Sequence, residues 1–153
     1  MRMIDGRHFE DLAAGQVFEH GEIAVTEESV IAFARQFDPQ IFHLDAEAAK
    51  DTFFAGLAAS GWHTAAMTMR LIVESGLRLA GGIIGAGGSL TWPRPTRPGD
   101  VLSIRIEVLE LRASRSKPER GTLKARVTTR NQHGEELQIM TCDLLVWRRQ
   151  RAD

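Results

Sequence analysis

The order of hydrophobic patterns along the chain predicts an α+β fold in which one sheet wraps around a single long, buried helix. The longest helical pattern, residues 61–80, is apolar nearly all round, as expected of a helix enclosed by the rest of the protein. From residue 83 onwards the apolar residues alternate with polar ones, which is typical of strands. A sheet around one helix is the simplest way to arrange these elements.

Composition limits the class of protein and its partners. The 153 residues suit one domain, 1–153, and 43% hydrophobic with 25% charged residues is ordinary for a globular chain. The net charge of −1 provides no field that would attract nucleic acid or an anionic membrane, so neither is expected as a partner. No segment approaches the roughly 20 apolar residues of a membrane helix.

Two features of the sequence indicate the compartment. The single cysteine, Cys142, cannot form an intramolecular disulfide, and its alternating neighbours indicate a buried thiol on a strand. The N-terminus lacks the apolar core of a signal peptide. We therefore expect a cytoplasmic protein.

The first half of the chain predicts one strand and one helix before the central helix. Residues 16–25 have a strand composition, with a turn at residues 20–21. Thr26 is a predicted N-cap, followed by acidic residues that favour a helix start, and apolar residues at helical spacing continue to Phe37. Asp45 is predicted to cap a short helical turn over residues 46–50.

The central helix and the strands that follow it have their own boundary signals. The pair Gly81-Gly82 predicts the end of the central helix in a left-handed cap, although Gly76 weakens the pattern in the last turn. Four strands are predicted, at residues 83–92, 101–109, 123–129 and 136–147.

The most informative stretch for function contains Asp38 and His43. A carboxylate and an imidazole are well suited to move a proton near neutral pH. Pro39 disfavours the α region at Asp38, so the helix should end there and leave both side chains on a short irregular segment. Catalytic residues are often found on such segments. The alternative is that Asp38 caps a turn and His43 is a partly buried polar residue.

Several further motifs occur in one order and spacing. They are residues 33–39 (Phe-Ala-Arg-Gln-Phe-Asp-Pro), 44–45 (Leu-Asp) with 48–49 (Ala-Ala), 56–61 (Gly-Leu-Ala-Ala-Ser-Gly), 92–95 (Trp-Pro-Arg-Pro), 98–100 (Pro-Gly-Asp) and 148–149 (Arg-Arg). With them, the chain resembles the MaoC-like family of acyl dehydratases and (R)-specific enoyl-CoA hydratases from about residue 18 to residue 149.

The resemblance implies a hot-dog fold, with an antiparallel sheet around a long central helix, and a homodimer or dimer of dimers. It implies an acyl-CoA thioester as substrate, with no metal and no redox cofactor. The family signature reads Asp-x-Asn-Pro-Leu-His. Here the spacing of Asp38 and His43 is retained, but Gln40 and Ile41 replace the asparagine and the inner proline, and proline stands at Pro39 instead.

The resemblance also implies roles for individual residues. Asp38 and His43 correspond to the pair that holds a water molecule and adds it to an enoyl thioester. Gly61, at the start of the central helix, corresponds to the glycine whose backbone N–H stabilises the oxyanion. The alternative is that Ser60 caps the helix and Gly61 is only a packing point.

The substrate-binding candidates are Ser60, Trp62 and Arg94. Arg94 and Arg97 on the proline-rich loop are candidates for contact with coenzyme A phosphates, and so are four basic residues between the strands, Arg112, Arg115, Lys117 and Arg120. The alternative for each is a solvated surface residue. His63 is expected to be a helix residue without a chemical role.

Two other functions remain open at this point. A hot-dog acyl-CoA thioesterase would share the architecture, although the Asp38 and His43 pair favours the hydratase. A non-catalytic acyl-CoA-binding module would be consistent with the unmatched asparagine and inner proline.

Overall fold

The computed structural model describes residues 5–150 of the chain. The helices are α1 (Glu27–Phe37), α2 (Ile41–Leu44) and α3 (Gly61–Glu74), with single 3₁₀ turns at Phe9–Asp11 and Ala48–Asp51. The strands are β1 (Val17–Ala24), β2 (Ile84–Thr91), β3 (Val101–Ala113), β4 (Arg120–Arg130) and β5 (Glu136–Trp147).

The five strands form one antiparallel sheet in the order β1-β3-β4-β5-β2. Helix α3 packs against β1, β3 and β5, which confirms the predicted α+β arrangement of one sheet around one central helix. The strands supply the core from alternate positions, because side chains with a period of two point to the same face of a sheet. On β3, for example, Leu102, Ile104, Ile106 and Val108 are all buried.

The central helix is shorter than predicted. It ends at Glu74 rather than near residue 80, because the Ser75 hydroxyl donates to the Ile72 carbonyl and its oxygen accepts from the Leu77 N–H. The apolar residues that extended the pattern, Leu77 and Leu79, are buried in the loop that follows. Periodicity counts apolar residues and does not distinguish a buried loop from a last helical turn.

The helix is also less enclosed than predicted. Its side facing away from the sheet leaves Trp62 59% and Val73 60% exposed, so only one face of α3 belongs to the core. The apolar side chains on the other face are available to contact other groups.

The first strand has no turn at residues 20–21, so that prediction was wrong. Strand β1 continues through these residues and pairs with β3, with a bulge between Gly21 and Ile23. An added Cβ at Gly21 would lie 2.8 Å from the Ser103 Cβ, so glycine permits the close approach of the two strands.

Cys142 lies on β5 in the core, as predicted from the alternation. Burial, with a contribution from the nearby Asp143 carboxylate, raises the pKa of its thiol to about 11. Between residues 5 and 150, no helix has the length and apolar character needed to cross a membrane.

Candidate active site

The end of α1 and the start of α2 position the two predicted acid/base residues. Asp38 is the C-cap of α1, where its N–H donates to the Ala34 carbonyl, and Pro39 prevents the helix from continuing. The chain resumes as one helical turn, α2, which carries His43. The sequence predicted an irregular segment for both residues. That prediction was wrong for His43, which belongs to this helical turn. Its side chain is almost fully buried.

The two side chains face each other across a short gap. His43 Nε2 lies 3.3 Å from Asp38 Oδ2, and His43 Nδ1 lies 2.6 Å from the Ala58 carbonyl oxygen. Because a carbonyl only accepts, Nδ1 carries a proton, and in the neutral ring Nε2 is an acceptor. Asp38 Oδ2 and His43 Nε2 are then two adjacent acceptors. A single molecule that donates two hydrogen bonds can bridge them.

Asp38 is held in its charged form. Burial opposes ionisation, but hydrogen bonds from Gln40 and Ser60 outweigh it, together with the attraction of the His43 ring in its protonated form, so the pKa of Asp38 is lowered. The Gln40 Nε2 donates to Asp38 Oδ1 at 2.5 Å. Gln40, which replaces the asparagine of the family signature, therefore contributes a hydrogen-bond donor to the carboxylate.

Substitution of Gln40 by leucine is expected to raise the pKa of Asp38, because it removes a donor that favours the carboxylate. The measurement is the pKa of the Asp38 carboxyl, from an NMR pH titration of the variant and the wild type. Gln36→Leu, an exposed change on α1, is the control and should leave this pKa unchanged. The same Asp38 pKa in Gln40→Leu and wild type would contradict the role of Gln40.

Ser60 and Gly61 open helix α3. The Ser60 side chain caps the helix by accepting from the Trp62 N–H at 3.3 Å, and the N–H groups of His63 and Thr64 donate to the Ser60 carbonyl. Within residues 5–150, the Gly61 N–H donates to no protein group. The capping role of Ser60 and a free donor at Gly61 are therefore compatible, and the two sequence-based alternatives do not exclude each other.

A cavity of about 510 Å³ joins these groups. All six predicted site residues line it, namely Asp38, His43, Ser60, Gly61, Trp62 and Arg94. Its walls include the aromatic rings of Phe53, Phe54, Trp62 and Trp92. Such a mixture of apolar walls and a few convergent polar groups is typical of a small-molecule site.

The two arginines of the proline-rich loop differ in what they contact. Arg94 is exposed and forms an ion pair with Glu135 at 2.8 Å. The Arg97 guanidinium instead donates to the carbonyls of Phe54, Gly56 and Leu57. Three of its five N–H groups are used within the protein in this way, and its expected contact with coenzyme A remains a prediction.

His63 lies outside the cavity. It is buried, its ring stacks on Phe33 with the centroids 4.7 Å apart, and burial lowers its pKa. Its expected lack of a chemical role remains a prediction.

Sequence reasoning missed two parts of the site. The Ala58 carbonyl, which fixes the tautomer of His43, is a backbone group and has no signature in the side-chain sequence. Trp92, just after β2, is held by a hydrogen bond to Gln138, which lies 46 residues away on β5. Nothing in the local pattern indicates that pair.

Known proteins resemble this chain in sequence. It matches the MaoC-like domain family over residues 10–131. A curated relative, the uncharacterised protein YdeM of Bacillus subtilis (strain 168), is 34% identical over 140 residues, which cover 90% of this chain and 95% of YdeM.

Solved structures resemble it in fold. A MaoC-like dehydratase from Rhodospirillum rubrum is 52% identical, with a TM-score of 0.92 over 95% of this chain and 100% of that one. An unliganded (R)-hydratase from Pseudomonas aeruginosa is 25% identical, with a TM-score of 0.74 over 99% of this chain and 96% of that one. An (R)-hydratase from A. caviae involved in PHA biosynthesis is 26% identical, with a TM-score of 0.68 over 92% of this chain and 99% of that one.

These similarities confirm the predicted hot-dog fold and support a hydratase or dehydratase activity. The chain therefore belongs to the MaoC-like domain family.

Proposed function

We propose that the protein catalyses the reversible hydration of a trans-2-enoyl-CoA, or equally the dehydration of the matching 3-hydroxyacyl-CoA. The observation that carries the proposal is the Asp38 and His43 pair, whose Oδ2 and Nε2 atoms are 3.3 Å apart at the wall of an aromatic cavity. The reaction needs two acid/base groups and one oxyanion donor. In the cavity, Asp38 and His43 can supply the first two and the Gly61 N–H the third.

In the proposed reaction, one water molecule donates to both Asp38 Oδ2 and His43 Nε2. As the pair takes a proton from this water, the water oxygen bonds to the β carbon and the π bond between the α and β carbons breaks. The α carbon receives a proton from the pair on the same face, so the elements of water add syn. Negative charge gathers meanwhile on the thioester oxygen, where the Gly61 N–H at the start of α3 donates to it.

The remaining predicted residues have supporting roles in this proposal. Ser60 stabilises the Asp38 carboxylate and caps the helix that presents Gly61. Trp62 forms part of the aromatic wall. Arg94 is exposed at the same cavity, where its guanidinium can exchange the ion pair with Glu135 for a phosphate of coenzyme A.

We also propose a homodimer, joined at the edge of the sheet. Strand β2 is an edge strand, and its residues from Ile84 to Ser89 are all exposed in the single chain. An open edge of this kind can pair with a second strand. A mass in solution near twice 17.0 kDa, by light scattering, supports the proposal, and the mass of one chain would contradict it.

The activity is tested by the loss of enoyl-thioester absorbance with a short and a medium-length trans-2-enoyl-CoA. We expect turnover of at least one of them, with formation of a 3-hydroxyacyl-CoA. Release of free coenzyme A from a saturated acyl-CoA would instead indicate a thioesterase. Binding of acyl-CoA without turnover of any enoyl thioester would indicate a binding module.

A further inference from the structure

A chain of hydrogen bonds runs from the cavity wall into the core. The Trp92 Nε1 donates to Gln138 Oε1 at 2.9 Å, and Gln138 Nε2 donates to Thr68 Oγ1 at 3.2 Å. Thr68 Oγ1 lies 2.7 Å from Thr129 Oγ1. An indole N–H only donates, so the Gln138 amide must turn its oxygen towards Trp92 and its NH₂ group towards Thr68. This sets which group donates in each of these two hydrogen bonds.

The position of Gln138 in the core is unusual for a glutamine. Gln138, Thr68 and Thr129 are all fully buried, between helix α3 and strands β4 and β5. A buried amide is costly unless it is hydrogen-bonded, and an aliphatic side chain at residue 138 would avoid that cost. What the amide adds is an anchor for Trp92, whose ring is otherwise partly exposed in the cavity.

The anchored ring lies directly against Gly61. A Cβ added to Gly61 would stand 2.7 Å from Trp92 Cε2 and 2.9 Å from Cζ2, so the ring and the glycine are in contact. Gly61 is the proposed donor to the thioester oxygen. The α carbon of the substrate is two bonds from that oxygen, and the Trp92 ring therefore borders the space that an α substituent would need.

We propose that Gln138 is a positioning residue that holds Trp92 as a wall beside the α carbon, so that the enzyme selects enoyl thioesters without an α substituent. The inference rests on the proposed function, and it adds a substrate class to it. Trp92 acts by excluding volume, and Gln138 acts only through Trp92.

The test compares crotonyl-CoA with trans-2-methylcrotonyl-CoA, which differ by one methyl group at the α carbon. We expect wild-type kcat/KM to favour crotonyl-CoA by about 10- to 200-fold, the range in which one methylene is discriminated. Trp92→Phe leaves more space beside the α carbon, and Gln138→Leu removes the hydrogen bond that holds the Trp92 ring. Each should lower this ratio by about tenfold, mainly through faster turnover of the methylated substrate.

A double variant separates positioning from a general loss of structure. If Gln138 acts only through Trp92, adding Gln138→Leu to Trp92→Phe should not lower the ratio further. Val146→Ala, a buried change on the same strand β5, is the control for destabilisation. It should lower the melting temperature and leave the ratio unchanged.

The outcomes separate this inference from the proposed function. No turnover of either thioester by the wild type would overturn the proposed function. Equal turnover of both, or an unchanged ratio in Trp92→Phe, would overturn the inference alone. Should Gln138→Leu not fold, Trp92→Phe still decides whether the wall exists. Gln138→Met, which lacks the amide oxygen that accepts from Trp92, then decides whether residue 138 holds the ring.

Discussion

Replacement of Asp38 by asparagine is expected to lower kcat/KM for an enoyl-CoA by about 10²- to 10⁴-fold, the usual contribution of a positioned acid/base group. Asparagine has nearly the same shape, so the cavity should be retained. It is neutral, however, and its side chain does not take a proton from water. The measurement is the initial rate of absorbance loss, with circular dichroism to show that the variant is folded. His43→Ala should have an effect of similar size.

Asp45→Asn is the matched control for this variant. Asp45 is exposed just after α2, and its Oδ1 accepts from the N–H groups of Glu47 and Ala48. Asparagine preserves such a cap, and the change removes the same charge only two residues from His43. Activity should therefore be retained. An active Asp38→Asn variant would show that this carboxylate has no part in the proton transfer.

Replacement of Arg97 by leucine is expected to cause a large loss of stability, about 3 kcal/mol in the free energy of unfolding. Its guanidinium satisfies three backbone carbonyls in the segment 54–57. That segment contains Ala55 at φ 52°, a left-handed conformation that is costly for a residue other than glycine. Without Arg97, these carbonyls lose their charged donor and the strained backbone can relax.

The same substitution should also reduce activity. Ala58 directly follows the segment 54–57 that Arg97 holds, and the Ala58 carbonyl fixes the ring of His43. A small displacement there would misdirect Nε2, so we expect kcat/KM to fall by roughly 10- to 100-fold. Thermal unfolding and enoyl-CoA turnover measure the two effects. Arg70→Leu, which breaks only the exposed pair with Glu74, should change stability by less than about 1 kcal/mol. Equal effects of the two variants would contradict the bracing role.

The sequence predicted those parts of the molecule that depend on local chemistry. Thr26 begins α1 with a side-chain cap, and strand β5 spans residues 136–147 as predicted. Asp38 and His43 could be placed near each other because they are five residues apart around a proline. The N-terminus of α3 could be located because Ser60 is a good capping residue.

What the sequence did not predict depends on contacts between distant residues. The guanidinium of Arg97 contacts backbone groups about 40 residues earlier in the chain, and nothing in its neighbours distinguishes it from the exposed Arg94. The anchor of Trp92 at Gln138 requires the register of two strands and the packing of α3 to be known first. The early end of α3 reflects the Ser75 hydroxyl, which competes for a helix carbonyl.

The buried thiol of Cys142 is an internal probe for the opening of the folded protein. With a pKa of about 11, only about one thiol in 10⁴ is ionised at pH 7, and the folded core keeps alkylating reagents away from it. The rate of alkylation then reports how often β5 separates from the sheet. For the same reason, the folded protein contributes almost no background when released coenzyme A is titrated with a thiol reagent.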